Sequence, residues 1–373
     1  MNSRQSGLRP RPLGCMRAPI CRAPREPRLW PGTASPMKSW WTWFVPLDRR
    51  APSGLRCSDI IPPTHPSSAL DINTLIIYTK YRLVLRVGRM KFCTAASLAT
   101  RAREDGYAIP AFNTNGATYD IARAAIEAAD ELASPLIIQS YEPNLAYRGF
   151  EYAVVQTAFL AEGANIPIAM HLDHGSSIES AMAAIRAGYS SVMIDGSHLP
   201  LDDNIRLTNN VIGLARPLGV TVEAEVGHVT GGVHSHGGES AVTDPEEAIR
   251  LVRETGVDML AIANGTRHGV IELQDQIDLE LVKNLRQSIE VPLVQHGTSG
   301  IPLRLISVLA KAGMAKFNFG EPFRANYIKY FAEYTKTLDH GDHAWKIAQA
   351  VKDRLKQDMK ELIVALGSEG RAR

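Results

Sequence analysis

Eight short apolar runs recur along this chain, each followed by a stretch whose apolar residues keep helical spacing, and that alternation leaves few folds open. The runs cover 107–112, 135–139, a third beginning at Ile168, 191–194, 221–226, a sixth at Met259, a seventh at Leu293, and 315–319. Between the first two, Ile121, Ala125, Ile126 and Ala129 mark one helical face, and similar segments span 152–162, 178–187, 201–215, 244–255, 279–288 and 301–312. Strands alternating with helices call for a parallel sheet, and eight is the number that closes. The expected fold is therefore an α/β TIM (β/α)8 barrel with extra C-terminal helices over about 327–366. A doubly wound open sheet is the runner-up, weakened because no GxGxxG fingerprint follows an early strand.

The placing of polar residues favours closure. In a barrel the site gathers at the C-terminal ends of the strands. His174, Asp195, Glu225, His268, His296 and Asn318 all fall at such ends. The third run, IAMHLDHG at 168–175, leads into His171, Asp173 and His174 where the strand is expected to stop. Adjacent strand residues face opposite ways, so Asp173 and His174 can serve one site only from beyond the strand end. On the fifth run, Glu223 and Glu225 share a face.

Composition divides the chain. Residues 1–89 hold thirteen Arg and two Lys against four acidic residues, about +11, whereas the remaining 284 residues hold 26 basic and 35 acidic, about −9. The first segment also holds twelve of the 22 Pro, four of the five Trp, and Cys15, Cys21 and Cys57. Its Arg and aromatic residues could suit a nucleic-acid or membrane arm, but Arg-Pro sequence without periodicity argues against a folded module. It has neither the apolar core nor the cleavage site of a secretory signal, and too much Pro for an amphipathic transit helix. The expectation is a segment, 1–89, that is not folded and stands apart from the working protein, with the barrel domain occupying 90–373. The strand-like stretch at 78–87 makes that boundary soft. The body keeps one cysteine, Cys93, which fits a reducing, cytoplasmic setting. No run reaches the length of a membrane span, and neither membrane nor nucleic acid is an expected partner of the body.

Three histidines at strand ends outweigh any one of them, since a lone histidine there is more often a hydrogen-bonded structural residue. Three imidazoles with an open fourth position form a catalytic zinc arrangement, whereas a structural zinc would close with four ligands, usually including Cys. Asp173, beside His174, is a candidate acid/base; its bland alternative is a carboxylate that orients a ligating imidazole. Gly265, Gly269, Gly297 and Gly300 permit close backbone approach, and N–H groups at the following helix starts can seat a phosphate, with hydroxyls from Thr298 and Ser299. Tight turns alone would also call for those glycines.

These motifs, AFNTNG (111–116), HLDHG (171–175), SVMIDGSHLP (191–200), VEAEVG (222–227), GTRHG (265–269) and QHGTSG (295–300), are together similar to the class II, zinc-dependent ketose-bisphosphate aldolases of the fructose-bisphosphate and tagatose-bisphosphate type. The resemblance covers about 90–340. It implies that His174, His268 and His296 hold Zn2+, and that Glu225 lies at a second, buried cation position near Asp195. It implies that Asp173 takes the C4 hydroxyl proton during cleavage. Asn113, Ser140, Gly269, Gly297, Thr298, Ser299 and Asn318 would then contact a sugar phosphate, releasing dihydroxyacetone phosphate and an aldehyde. Family members are commonly homodimers or homotetramers, and they usually begin near the position of Met90.

Two stretches depart from the family. After GHVTGG the family carries acidic residues on a mobile loop, one of which handles the C1 proton; here the candidates are His234, His236 and Glu239. Where the family has Asn-x-x-Thr at the phosphate, this chain reads Asn318-Phe319-Gly320-Glu321, with Arg324 one turn later. A carboxylate facing a phosphate is repulsive, so Glu321 either points away or receives a hydroxyl or amine. The alternatives are an epimerase, or an aldolase acting on a different, unphosphorylated ketose or keto acid. A noncatalytic sugar-phosphate-binding barrel would predict a damaged metal set, which this chain does not have.

Overall fold

In the computed structural model the described residues are 92–229, 242–269, 273–337, 339 and 342–372. The Arg/Pro-rich segment 1–89 and the loop candidates His234, His236 and Glu239 lie outside them. Eight strands close in sequence order into a parallel barrel: β1 (Ile109–Asn113), β2 (Leu136–Tyr141), β3 (Ile168–Gly175), β4 (Ser191–Ile194), β5 (Thr221–Val226), β6 (Met259–Ile262), β7 (Leu293–Gln295) and β8 (Met314–Phe319). The closing pair is β1 with β8, in the register Ile109↔Lys316 and Ala111↔Asn318. The open-sheet alternative is thereby excluded.

The helices are α1 (Ala95–Asp105), α2 (Tyr119–Glu131), α3 (Glu142–Leu145), α4 (Phe150–Ala161), α5 (Ile178–Ala187), α6 (Leu201–Ala215), α7 (Pro245–Thr255), α8 (Leu279–Ser288), α9 (Leu303–Ala312), α10 (Glu321–Thr335) and α11 (Ala344–Ala365). None of them is long and apolar enough to cross a membrane. Outward strand residues such as Phe112, Ile138, Leu172, Val222 and Leu260 pack with the helices in one large core. A second cluster fills the foot of the barrel interior, where α1 buries Ala95, Leu98 and Ala99 against Ile109, Ile137, Ala169, Met259 and Val294. Thr94 caps α1 by accepting from the Ser97 N–H, and Gly106, with φ +74°, stops it.

Because inward residues alternate, the interior is layered. Apolar residues at the foot give way to a charged middle of His171, Ser191, Glu223 and Lys316, and above it stand Asn113, Asp173, Glu225 and Asn318. Glu223 and Glu225 do share the inner face of β5, as their spacing requires. Of the C-terminal residues at helical spacing, Ile347 and Val351 lie on the buried face of α11, whereas Trp345 is 64% exposed.

Candidate active site

The third strand runs longer than the sequence suggests. It continues through Gly175, so Asp173 and His174 are consecutive strand residues. Two local irregularities reconcile this with one site. The register against β4 shifts between Leu172 and Gly175, and His174 adopts φ +50°, a left-handed conformation that costs a non-glycine residue energy and is held where the surroundings fix it. Gly175 is required next to it, because a Cβ there would sit 2.4 Å from the Met193 carbonyl oxygen. The result turns the His174 ring back over the barrel mouth while Asp173 points inward.

The His174 Nδ1–H donates to Asp195 Oδ2 at 2.7 Å, leaving Nε2 directed at His296 Nδ1, 3.0 Å away. Asp195 is itself fixed by the Ser197 N–H and hydroxyl. His296 Nε2–H donates to Glu223 Oε1 at 3.1 Å, which presents its Nδ1 lone pair to the same point. The three rings of His174, His268 and His296 lie 4.7–5.8 Å apart between centroids. One nitrogen from each falls within 4.8 Å of the others. A second group, His174, Asp195 and Glu225, meets the same limit deeper in the barrel. Ligands about 2.1 Å from a tetrahedral ion stand about 3.4 Å apart, and the 3.0 Å between His174 Nε2 and His296 Nδ1 suits one ion held between them.

Two buried atoms at this point, His268 Nε2 and Glu225 Oε2, have no hydrogen-bond partner, as donor atoms reserved for a cation would. Burial, partly offset by the bond to Glu223, lowers His296 to about 4, so it is a neutral imidazole at pH 7. Burial opposes the charged form of His174, but Asp173 and the bond to Asp195 outweigh it and raise the ring to about 10. Burial and the nearby Asp195 push Glu225 up to about 8. A divalent cation would reverse the balance at both, displacing their protons.

Beneath the site, Lys316 Nζ donates to Glu223 Oε2 at 2.7 Å and lies 3.2 Å from His171 Nε2, with all three side chains wholly buried. His171 Nδ1 meets Ser191 Oγ at 3.0 Å. The histidine that leads the HLDHG motif is thus a support for the carboxylate behind His296, outside the three-imidazole set.

Asp173 faces a cavity of about 520 Å³. Each of its oxygens accepts one amide N–H, Oδ2 from Asn113 at 3.1 Å and Oδ1 from Asn318 at 2.9 Å. Its orientation is therefore fixed independently of any ligand. The cavity is also lined by Gln139, Tyr141, His174, Asp195, His228 and His268. Ser140 is not among the lining residues. By strand alternation it faces the helices, beside Tyr189, and Gln139 and Tyr141 occupy the wall where Ser140 was expected. Thr298 donates to the Asn318 carbonyl at 2.5 Å, and Thr298, Ser299 and Gly297 are buried behind the wall. Gly297 needs its φ of +62°, and a Cβ would lie 2.9 Å from the Arg267 backbone. Gly269 is on the adjoining turn, also with positive φ.

Gln274 ties these turns together. Its side-chain N–H groups donate to the carbonyls of Arg267, Gly297 and Ser299, and its Oε1 accepts from the Arg267 N–H at 2.7 Å. It lies just beyond the GTRHG motif, and nothing in that pattern marks a glutamine as the tie between the turns. Glu321, the first residue of α10, points into the cavity. Its Oε2 accepts from Ser299 Oγ at 3.3 Å and its Oε1 is 3.7 Å from His268 Nδ1. Burial would raise this carboxyl, but the His268 and Ser299 contacts hold it down at about 2.

Comparison with known proteins agrees with this geometry. Residues 93–371 match the family described as "Fructose-bisphosphate aldolase class-II". The chain is 36% identical over 290 residues to a 6-phospho-5-dehydro-2-deoxy-D-gluconate aldolase of Bacillus licheniformis, covering 76% of this chain and 97% of that protein. It is 39% identical over 226 residues to a fructose-bisphosphate aldolase of Thermus caldophilus, covering 59% of this chain and 73% of the other. Among solved structures, the YdjI aldolase of Escherichia coli K12 aligns with a TM-score of 0.67 and 31% identity, over 76% of this chain and all of that one.

Proposed function

The chain belongs to the class II fructose-bisphosphate aldolase family, whose members are carbon–carbon lyases, and from that membership we propose that it cleaves a ketose reversibly between C3 and C4, using Zn2+. The observation that carries this is that one nitrogen each from His174, His268 and His296 lies within 4.8 Å of the others, at a cavity lined by His174, His268 and the Asp173 carboxylate. His174, His268 and His296 would hold the ion, and the His174, Asp195 and Glu225 group supports an inner cation position. When bound, zinc supplies the Lewis acid that spreads charge developing on the three-carbon fragment.

The protein's own part is proton handling and orientation. Asp173 is the acceptor for the C4 hydroxyl proton, and it returns that proton to the aldehyde oxygen in the condensation direction. The two asparagine amides keep its oxygens directed at one place, so little reorganisation is needed when substrate arrives. Asp195 and Glu223 fix the tautomers of His174 and His296 so that each offers a lone pair. For a ketose bisphosphate such as fructose-1,6-bisphosphate or tagatose-1,6-bisphosphate, the support is the relatives' names and the glycine turns; the Glu321 carboxylate opposes a phosphate at C1.

The test is cleavage of phosphorylated and unphosphorylated ketoses by the zinc-loaded chain with and without a chelator. Asp173→Asn should keep its zinc, measured as metal content, and lose about 10²–10⁴-fold in rate. Zinc binding with no cleavage of any ketose, or an Asp173→Asn variant as fast as wild type, would overturn the assignment.

A further inference from the structure

We propose that Glu321 makes the site select a ketose whose C1 carries a free hydroxyl where related substrates carry a phosphate. This rests on the aldol cleavage proposed above and specifies its donor half.

The parts from which an anion seat is built adjoin Glu321. It opens α10, the Ser299 hydroxyl on the turn after β7 donates to it, and Gly269 and Gly297 on the turns after β6 and β7 both have positive φ. Helix N-termini and turns of this kind direct N–H groups at anions. Here the protein supplies the anion itself. Ser299 Oγ donates to Glu321 Oε2, His268 Nδ1 stands 3.7 Å from Oε1, and the residue's own backbone N–H turns toward the carboxylate.

Position and charge lead to the same conclusion. Glu321 lines the cavity, whereas Ser299 and Gly297 do not, so the carboxylate stands between the seat and an incoming substrate. Among the described lining residues, Glu142, Asp173, Asp195 and Glu321 are carboxylates; Asp195 is paired with His174 and Asp173 lies beside the proposed zinc, which leaves Glu321 as the carboxylate at the seat itself. A phosphate entering there would meet like charge at contact distance. A hydroxyl has a proton to donate to a carboxylate oxygen, and a phosphate dianion has none.

The donor half-reaction isolates this from the unknown aldehyde. Dihydroxyacetone and dihydroxyacetone phosphate would each be incubated in deuterated water with the zinc-loaded full chain, and carbon-bound deuterium followed by NMR. Wild type should exchange dihydroxyacetone with a kcat/KM about tenfold or more above the phosphate, and Glu321→Thr should invert the preference by about 100-fold. Glu321→Gln, which keeps the shape and removes the charge, should fall between them. Titration with inorganic phosphate in a calorimeter, which needs no turnover, should show binding by Glu321→Thr and none by wild type. Faster exchange of the phosphate by wild type, an unchanged preference in both variants, or equal phosphate binding by wild type and variant would overturn the role of Glu321. If neither donor exchanges while zinc is bound, the aldol assignment itself falls, and the phosphate titration still decides what Glu321 does.

Discussion

Lys316 and Glu223 show how single residues under the site are coupled to it. A buried ion pair is a poor source of net stability, but removing one partner leaves a charge in the interior at a cost of about 3–5 kcal/mol. Lys316→Met should therefore lower the unfolding free energy by about that amount, and Lys316→Met with Glu223→Gln should recover part of it. Denaturant titration of the four proteins of that cycle would measure this. Additive losses would show that the pair is not coupled. Because Glu223 orients His296, Glu223→Gln alone should also weaken zinc binding by about 10–100-fold, read by competition with a chromophoric chelator. The sequence makes the Glu223 and Glu225 pair legible through strand parity. It does not reveal that His171 and Lys316 meet Glu223, since that depends on the stagger of β3, β5 and β8 around the barrel. The same parity shows why Ser140 was misplaced: it is one residue from Gln139, and one residue is the difference between the inner and outer faces.

At the scale of elements, the alternation of strand and helix was legible because its signal is repeated eight times, and the strand ends were located well enough to assemble the histidines. What sequence could not show was the extra length of β3, because a strand carrying a positive-φ histidine and a register shift has no pattern of its own. The C-terminal helix is a further case. Its buried Ile347, Val351, Leu355 and Met359 follow from spacing and share one core with α2, but ion pairs fasten it to α2 as well. Lys352 meets Glu127, and Lys356 meets Glu131 at 2.7 Å, with Lys360 also on Glu131. Burial raises Glu127, but its bonds to Lys352 and Arg123 prevail and lower it, while the lysine bonds lower Glu131. A carboxyl whose folded pKa is depressed contributes stability above its ordinary value of 4.5 and loses it as pH falls through the lowered folded value. In zinc-free protein, hydrogen exchange in α11 should therefore accelerate below that pH, and Glu127→Gln with Glu131→Gln should flatten the dependence. An unchanged acid profile in the double variant would assign the fastening to apolar packing alone.

For the whole molecule, the relevant fact is that His174, His268 and His296 come from three separate strand–helix units, whereas the barrel closes without them. Closure rests on the β1–β8 pairing, the outer helical core and the α1 plug at the foot; the pairing reaches an imidazole through the Asn318 side chain, 3.0 Å from His296 Nε2, but its backbone ladder is made without that contact. Zinc should consequently behave as a ligand of a folded barrel. At a free concentration of about 100 times its dissociation constant it should add about 2.7 kcal/mol, which for a chain of this size raises the melting temperature by about 3–5 °C. Chelation should remove that increment and leave the far-ultraviolet circular dichroism intact. The shift should grow with the logarithm of zinc concentration, and His296→Ala should reduce it sharply. Loss of secondary structure on chelation would instead mean that the ion is a structural tie among the three units. The open coordination position that aldol chemistry needs would then have to be sought elsewhere in the cavity.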